Sequence, residues 1–381
     1  MEARWSQSPV LPWAERAYET CVSAGSTAML ANGPAGFNSC KGAARQAASL
    51  LVAVGKKLSN GVRNPNAELN CILRMKIKRL VTLACAGVLL IIAAAGYLHF
   101  LQSRPIGTGP AGPQVPNTVF SRTWSEKQFL LIGLGDSMTA GFGARHGYSY
   151  FDRLVTNPPA EFEDMRGRCL QAVLPYLKFT NLAVSGSTSS EHVAQQLPKL
   201  PNISSNVVAL VVMTTGGNDL IHNYGKTLPR EGAMFGATWD QAAPWVTNFD
   251  QRLEGMVNQI NRHFPAGCHI FLANIFDLTD GVGDTEQAGL PAWKDGEKVV
   301  AAYNDVIRRC AARHSFMHLV DIHEAFLGHG IHCAQFWSAH YDAKDPHYWY
   351  YVNLEDPNER GYDVIRRLFL LEFSRTADQL R

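Results

Sequence analysis

The sequence predicts a three-layer α/β/α domain with a central five-stranded parallel sheet, preceded by one N-terminal transmembrane or signal helix. Three observations support this prediction. Five short apolar runs alternate with longer segments of helical periodicity, which is typical of a parallel sheet covered by helices. An uncharged run of 19 residues, 80–98, comes before them and is about long enough to cross a bilayer. A stretch dense in Pro and Gly separates the two.

The five apolar runs are nearly continuous in hydrophobic residues, as expected of strands buried on both faces. They are 128–133, 178–184, 207–213, 269–275 and 317–321. Apolar residues recur at intervals of three and four between and after them, which predicts helices. These helical segments are 190–197, 242–263, 298–313 and 361 to about 376.

The chain divides into four predicted parts. The basic residues Lys76, Lys78 and Arg79 precede the apolar run, so we expect that side to stay in the cytoplasm and the domain to be extracytoplasmic, that is periplasmic or extracellular. If the helix is a cleaved signal peptide, the domain is secreted. The parts are 1–74, an unassigned extension that is either a tail or the product of a mis-called start; 75–101, the anchor or signal; 102–118, an extended linker; and 119–381, the folded domain.

Composition argues against several functions. The formal net charge is +2 and charged residues make up 18% of the chain, which does not suggest a nucleic-acid binder. Eight cysteines are present, but no CxxC or His/Cys group has zinc spacing, so we expect neither a metal nor a cofactor. If the domain is exported, its four cysteines allow up to two disulfides of undetermined pairing, and free thiols fit equally well.

Polar and glycine-rich residues follow the first three predicted strands. Ser137 comes after strand one, Gly186 after strand two and Asn218 after strand three. The carboxyl ends of parallel strands share one edge of a sheet, where ligands bind. A hydrolytic interpretation makes Ser137 the nucleophile. The backbone N–H groups of Ser137 and Gly186 and the amide of Asn218 would then form an oxyanion hole. Each segment is also a good turn sequence.

These three segments resemble the motifs of the SGNH (GDSL-type) hydrolase family. The matching stretches are GDSM at 135–138, NLAVSG at 181–186 and GGND at 216–219. The resemblance covers roughly residues 128–374 and implies a flavodoxin-like fold, with ester or thioester hydrolysis that needs no cofactor. It also implies that Ser137 is the nucleophile and that Gly186 and Asn218 are oxyanion donors.

The fourth motif departs from the family pattern. The family ends with an Asp-x-x-His pair, whereas this chain has Asn353 in the place of the acid and Asp356 in the place of the histidine. A carboxylate at its ordinary pKa is a weaker base than imidazole by roughly 3.5 kcal/mol, although burial can recover part of that difference. A different histidine is the other solution.

Among the nearby histidines we favour His347, which lies two residues from Asp345 and close to the expected site. Asp356 would then contact His347 as the acid of a triad. The alternative is that His347 only packs among aromatic residues. His340, His332 and Asp356 itself stay open as the base, while His329 and His332 resemble a Gly-His segment of some secreted SGNH enzymes that favours a structural role.

The sequence therefore predicts a serine hydrolase that cleaves carboxylic esters through an acyl-enzyme on Ser137. Its expected partners are a small-molecule, lipid or acetylated-glycan ester and, through the N-terminal helix, a membrane. Two other interpretations fit the same residues. One is a non-catalytic binding domain that lacks the histidine, and the other is an acyltransferase in which an alcohol replaces water.

Overall fold

A computed structural model describes residues 67–381. The predicted extension 1–74 lies almost entirely outside the described residues. The chain divides into two units, 1–95 and 96–381. Helix α1, Ala67–Tyr97, carries the predicted apolar run, and the stretch Leu73–Gln102 is long and apolar enough to cross a membrane by length and composition. Leu83 and Leu90 in this helix are exposed, so they do not belong to a hydrophobic core.

The predicted five-stranded parallel sheet is confirmed. The strands lie in the order β2-β1-β3-β4-β5, and every neighbouring pair is parallel. The chain moves outward from β1 to β2 and then returns to the other side of β1, so the order of strands reverses next to β1. Binding sites of open α/β sheets lie at such reversals. The strands are β1 (Gln128–Leu134), β2 (Leu177–Asn181), β3 (Val207–Met213), β4 (Cys268–Ala273) and β5 (Met317–Val320).

Helices cover both faces of the sheet. The predicted long helices are present and begin two or three residues earlier than their apolar periodicity suggests. For the helix predicted at 242–263, the reason is a capping box, in which Thr238 and Gln241 satisfy each other's backbone N–H groups. The α-helices of the domain are α2 (Asn117–Phe120), α3 (Ser137–Ala140), α4 (Tyr150–Val155), α5 (Leu170–Val173), α6 (Ser189–Glu191), α7 (Gly217–Ile221), α8 (Trp239–His263), α9 (Gly296–Arg313), α10 (Ile322–Phe326) and α11 (Glu359–Thr376).

The core lies in two layers on opposite faces of the sheet. Successive strand residues point to opposite faces, so Leu131 packs in one layer and Ile132 in the other, and both are fully buried. Phe369 of α11 belongs to the first layer, whereas Phe249 of α8 belongs to the second. This double burial explains why the strands read as continuous apolar runs.

The Pro/Gly-rich segment after α1 is docked on the domain, although it contains little regular structure. The Arg360 guanidinium donates hydrogen bonds to the carbonyls of Thr108 (2.8 Å), Gly109 (3.0 Å) and Pro110 (3.2 Å). The N–H of Ala111 donates to Asp363 Oδ2 at 3.1 Å. Helix α11 therefore holds this segment in place as part of the domain.

The cysteines of the domain are free thiols. Cys169, Cys268, Cys310 and Cys333 are all buried and unpaired among the residues that the structure describes. The sequence left open either disulfides or free thiols, and these four cysteines are free thiols in the structure.

Candidate active site

Ser137 begins α3, directly after β1, on a turn that only glycine allows. Gly135 has φ of +132°, and a Cβ there would lie 2.3 Å from the carbonyl oxygen of Thr214. Asp136 caps α3, because its side chain accepts a hydrogen bond from the N–H of Met138 at 3.2 Å. Ser137 is half-buried at the first position of the helix, where a backbone N–H has no partner inside the helix. Its hydroxyl and its N–H are therefore available at one point.

A glutamine holds the peptide before this turn. Gln196 accepts a hydrogen bond from the N–H of Gly135 (2.8 Å) and donates one to its carbonyl (2.7 Å). Asn181, at the end of β2, donates to the carbonyl of Thr139 in α3 at 2.7 Å. The position of Ser137 thus depends on side chains that follow the neighbouring strand.

The loop after β2 brings Gly186 beside the serine turn. The N–H of Val184 donates to the carbonyl of Gly135 at 3.0 Å, which continues the pairing of β2 with β1 beyond the end of the strand. Gly186 has φ of +80°, and a side chain there would meet open space. Asn218, at the start of α7, donates its amide to the carbonyl of Ser187 at 3.1 Å. The three predicted strand-end segments therefore meet at one edge of the sheet.

His192 links two of these segments, and the sequence analysis did not identify it. Its Nε2 lies 2.9 Å from Ser187 Oγ, and its Nδ1 lies 2.9 Å from Thr215 Oγ1. Burial lowers the pKa of His192 to about 4, so the ring is neutral at physiological pH. One sequence signal could have pointed to it. His192 and Gln196 are four residues apart in a helical segment, so they share the face that contacts the site.

Asp356 lies beside Ser137, at the position where the family has its histidine. Burial raises the pKa of its carboxyl to about 6, against the lowering effect of the hydrogen bond from Asn353 and of the nearby Ser137 side chain. The Asn353 amide donates to Asp356 Oδ2 at 2.7 Å. Its own oxygen accepts the N–H groups of Glu355 (3.3 Å) and Asp356 (3.2 Å), which leaves the amide nitrogen free to donate. Asp356 Oδ1 has no partner of full hydrogen-bond geometry.

The structure does not bring His347 to Ser137, and this corrects the predicted contact between His347 and Asp356. His347 Nδ1 is 2.5 Å from Asp345 Oδ1, and Asp345 is in turn paired with Arg360. The imidazole ring packs on Gly107, where a Cβ would lie 2.6 Å from it. The neighbouring carboxylate thus orients His347 toward the docked segment, away from the serine.

The other candidate histidines also have partners away from Ser137. His332 Nε2 lies 2.9 Å from Asp284 Oδ1, and His329 stacks on Trp349 with ring centroids 3.3 Å apart. His340 packs over Gly281 and Gly328. None of these residues lines the cavity that contains Ser137.

That cavity, which we call the carboxyl-edge pocket, has a volume of about 1050 Å³ including its open mouth. Ser137, Asn218 and Asp356 line it together. Much of its wall is apolar and comes from the ends of β3 and β4 and from α9. The apolar side chains of this wall include those of Leu220, Phe235, Ile275, Phe276, Leu290, Trp293 and Val300.

Two further acids flank the serine. Burial raises the pKa of Asp136 to about 6, and the Asp356 charge adds to the rise while a hydrogen bond from Thr214 opposes it. Burial also raises the pKa of Glu355, helped by the Asp136 charge and opposed by a hydrogen bond from Tyr224. Ser137 therefore lies among mutually repelling carboxylates.

One group of side chains in the described residues has the spacing of a metal site. It consists of Glu254, Cys310 and His314, none of which lines the pocket. The Arg313 guanidinium donates to Glu254 Oε2 at 2.8 Å and supplies the positive charge there. The potential ligands thus already have a cationic partner from the chain itself.

The parallel sheet and the pocket at its carboxyl edge define the class of three-layer α/β/α proteins with a site at the strand reversal. Within that class, the chain belongs to the GDSL-like lipase/acylhydrolase family, whose model matches residues 134–364, more than half of the chain. It is therefore a hydrolase that acts on ester bonds. A search of curated sequences found no match.

Solved structures similar to this chain include an extracellular lipase from Streptomyces rimosus, at 16% identity and TM-score 0.40, covering 61% of this chain and 94% of that one. A lipolytic G-D-S-L family member from Veillonella parvula has 14% identity and TM-score 0.41, with coverages of 65% and 99%. A variant of an acetyl xylan esterase from Geobacillus stearothermophilus has 18% identity and TM-score 0.42, with coverages of 66% and 96%. The family assignment rests on the family model, because these similarities are low.

Proposed function

We propose that the protein is a serine esterase in which Ser137 is the nucleophile and Asp356 is the general base. The observation that carries this proposal is the position of the buried Asp356 carboxyl beside Ser137, close enough for the serine side chain to lower the pKa of Asp356, in a pocket that also contains Asn218. The first two residues provide attack and proton transfer, and the third provides an oxyanion donor.

Burial makes a carboxylate adequate for this role. The pKa of Asp356 is about 6, close to that of a free imidazole at about 6.5. The roughly 3.5 kcal/mol deficit of an ordinary aspartate therefore shrinks to less than about 1 kcal/mol. Asp136 is the less suitable base, because its Oδ1 already accepts hydrogen bonds from Thr214 and Met138.

Asn353 is a suitable partner for a carboxylate base, in the way that an aspartate is a suitable partner for a histidine base. An aspartate at 353 would repel Asp356, whereas the Asn353 amide donates to Asp356 Oδ2 and leaves Oδ1 for the serine proton. The two departures from the family motif are thus chemically consistent with each other. This pairing supports working chemistry over a binding domain that has lost its histidine.

The proposed reaction proceeds in two halves. The Ser137 proton moves to Asp356 Oδ1 as Ser137 Oγ bonds to the carbonyl carbon of the ester. The protonated Asp356 then gives that proton to the departing alkoxide, which leaves as an alcohol. In the second half a water molecule gives a proton to Asp356 as its oxygen bonds to the acyl carbon. The protonated Asp356 then returns that proton to Ser137 Oγ as the carboxylic acid leaves.

The oxyanion hole carries more of the charge here than it does beside a histidine. Proton transfer to a carboxylate makes the base neutral, so no imidazolium faces the developing oxyanion. The negative charge of Asp356 in effect moves to the substrate oxygen. The N–H groups of Ser137 and Gly186 and the amide of Asn218 would hold it.

The substrate that we propose is a carboxylic ester of the lipid or acetylated-glycan type. The apolar side chains of the carboxyl-edge pocket favour an apolar substrate group. Tyr348, Trp349 and Tyr350 are buried in the core, so they are not available to stack on sugar rings. On this basis the lipid-type ester is preferred.

We also propose that α1 anchors the domain to a membrane, with the domain on the extracytoplasmic side. The apolar stretch Leu73–Gln102 and the basic residues near its start support this orientation. A cleaved signal helix leads to the same side of the membrane.

A covalent probe tests the nucleophile directly. A fluorophosphonate should label the purified full-length protein, and Ser137→Ala should abolish the labelling. The matched control is Ser190→Ala, which removes an exposed serine in α6 and should leave labelling unchanged. Absence of labelling in folded wild-type protein would support the binding-domain alternative.

A further inference from the structure

The carboxyl-edge pocket has a strongly one-sided charge. Five acidic side chains line it, and no Lys, Arg or His does so among the residues that the structure describes. The acids come from four different segments of the chain, so the imbalance is a property of the assembled pocket. They are Asp136, Asp277, Glu297, Glu355 and Asp356.

The five acids form two groups. Asp136, Glu355 and Asp356 surround the serine, and their charges raise one another's pKa values. Glu297, an exposed residue in the first turn of α9, lies with Asp277 at the outer part. Burial raises the pKa of Glu297, and the charges of Asp277 and Asp284 add to the rise. A positive charge inside the pocket would relieve the repulsion in both groups.

One carboxylate oxygen of the inner group is buried without a hydrogen-bond partner. Asp356 is 2% exposed, and its Oδ1 has no hydrogen-bond partner of full geometry. Arg252 and His332 are paired with carboxylates outside the pocket. Arg252 contacts Asp219 and Glu231, and His332 contacts Asp284, and none of these residues lines the pocket.

Aromatic rings form part of the same wall. Tyr224, Phe235, Phe276 and Trp293 all line the pocket together with the acids. Ring faces attract cations through their quadrupole, and aromatic pockets of this kind bind quaternary ammonium groups. The combination of aromatic rings with carboxylates suits an organic cation better than a neutral group of the same shape.

We propose that the pocket takes esters that carry an organic cation, such as a quaternary ammonium group, in preference to neutral esters of the same shape. This inference rests on the proposed esterase function and adds a charge preference to it. The cation would lie between the aromatic wall and the outer acids Asp277 and Glu297. The same field disfavours esters that carry a carboxylate or a phosphate.

The kinetic test uses two esters that differ by one charge. Butyrylcholine and 3,3-dimethylbutyl butyrate have the same shape, with a quaternary nitrogen in one and a quaternary carbon in the other. Hydrolysis by the full-length protein in non-ionic detergent is measured by pH-stat titration at pH 8. We expect kcat/KM to be at least about tenfold higher for butyrylcholine than for the neutral ester. Glu297→Gln should reduce this preference about threefold or more. Glu286→Gln, an exposed acid outside the pocket, should not change it.

A binding test separates failure of this inference from failure of the esterase function. Choline and 3,3-dimethylbutan-1-ol are the alcohol parts of the two esters, and their affinities for the wild-type protein can be compared by ligand-observed NMR. Tighter binding of choline that weakens in Glu297→Gln supports the inference even if neither ester is cleaved. Equal binding of the two alcohols, or equal hydrolysis of the two esters, overturns it while the esterase function can stand.

Discussion

Two buried groups of carboxylates in this domain have opposite surroundings. Glu161 lies between Arg153 of α4 and Arg366 of α11, with N–O distances of 2.6 Å to each. Burial alone would raise the pKa of Glu161, but the hydrogen bonds and charges of the two arginines lower it to about 2. In the carboxyl-edge pocket, burial raises the pKa of Asp356 to about 6, and no arginine faces it.

The difference distinguishes a carboxylate that stabilises the fold from one that can exchange a proton near neutral pH. Glu161 is held ionised by its partners and cannot accept a proton near neutral pH. Asp356 is ionised at pH 7 but lies close to its pKa, so it can accept a proton and return it within a catalytic cycle. A buried acid without a cationic partner destabilises the fold and persists at functional sites.

The largest expected effect on activity comes from removing the charge of Asp356. Asp356→Asn should lower kcat/KM for p-nitrophenyl acetate about 10²- to 10⁴-fold, because the general base is lost. The same change should raise the free energy of unfolding at pH 8 by about 1–3 kcal/mol, because a carboxyl whose pKa moves from 3.8 to about 6 on folding opposes folding when ionised. Urea denaturation measures this gain.

Glu161→Gln is the matched control. In contrast to Asp356→Asn, it should lower stability and leave activity nearly unchanged. The free energy of unfolding should fall by about 3–5 kcal/mol, because two buried arginines lose a shared partner. Activity per folded molecule should change little, since Glu161 does not line the pocket. If Asp356→Asn keeps wild-type activity, the assignment of the base is wrong.

The pH dependence sharpens the same comparison. The proposed reaction needs ionised Asp356, so kcat/KM should be level above pH 7 and fall about tenfold per pH unit well below pH 6. The stability terms have opposite signs. Asp356 contributes stability below pH 3.8 that is lost as the pH rises through about 6, whereas Glu161 contributes stability above pH 4.5 that is lost as the pH falls toward 2.

A stopped-flow pH series with wild type, together with urea denaturation of both variants at pH 4 and pH 8, measures these dependences. The stability difference between Asp356→Asn and wild type should be smaller at pH 4 than at pH 8. An activity profile that does not change between pH 5 and pH 8 would contradict a general base whose pKa is about 6.

The smallest expected effect is that of His347→Ala. The ring contacts Asp345 and packs on Gly107, so we expect kcat/KM for p-nitrophenyl acetate to stay within about threefold of wild type. The same assay on Asp356→Asn gives the contrast. A loss of 100-fold or more in correctly folded His347→Ala, on the order expected for a general base, would restore histidine as the base.

The sequence determined the parts of the site that depend on local order. The apolar runs predicted the five strands, since double burial leaves a nearly continuous hydrophobic pattern, and the family and fold predictions are confirmed. Once the strands are parallel, their carboxyl ends share one edge. Ser137, Gly186 and Asn218 therefore had to lie near one another.

Tertiary structure decided what local order does not specify. The position of His347 depends on Asp345, Arg360 and the docked segment after α1, which come from separate parts of the chain. The pKa of Asp356 depends on burial and on the absence of a cation among the pocket residues, and neither is visible in the motif around it. Distance and desolvation are set only when the chain is folded, which is why the sequence predicted Ser137 as the nucleophile but left Asp356 as one of several candidate bases.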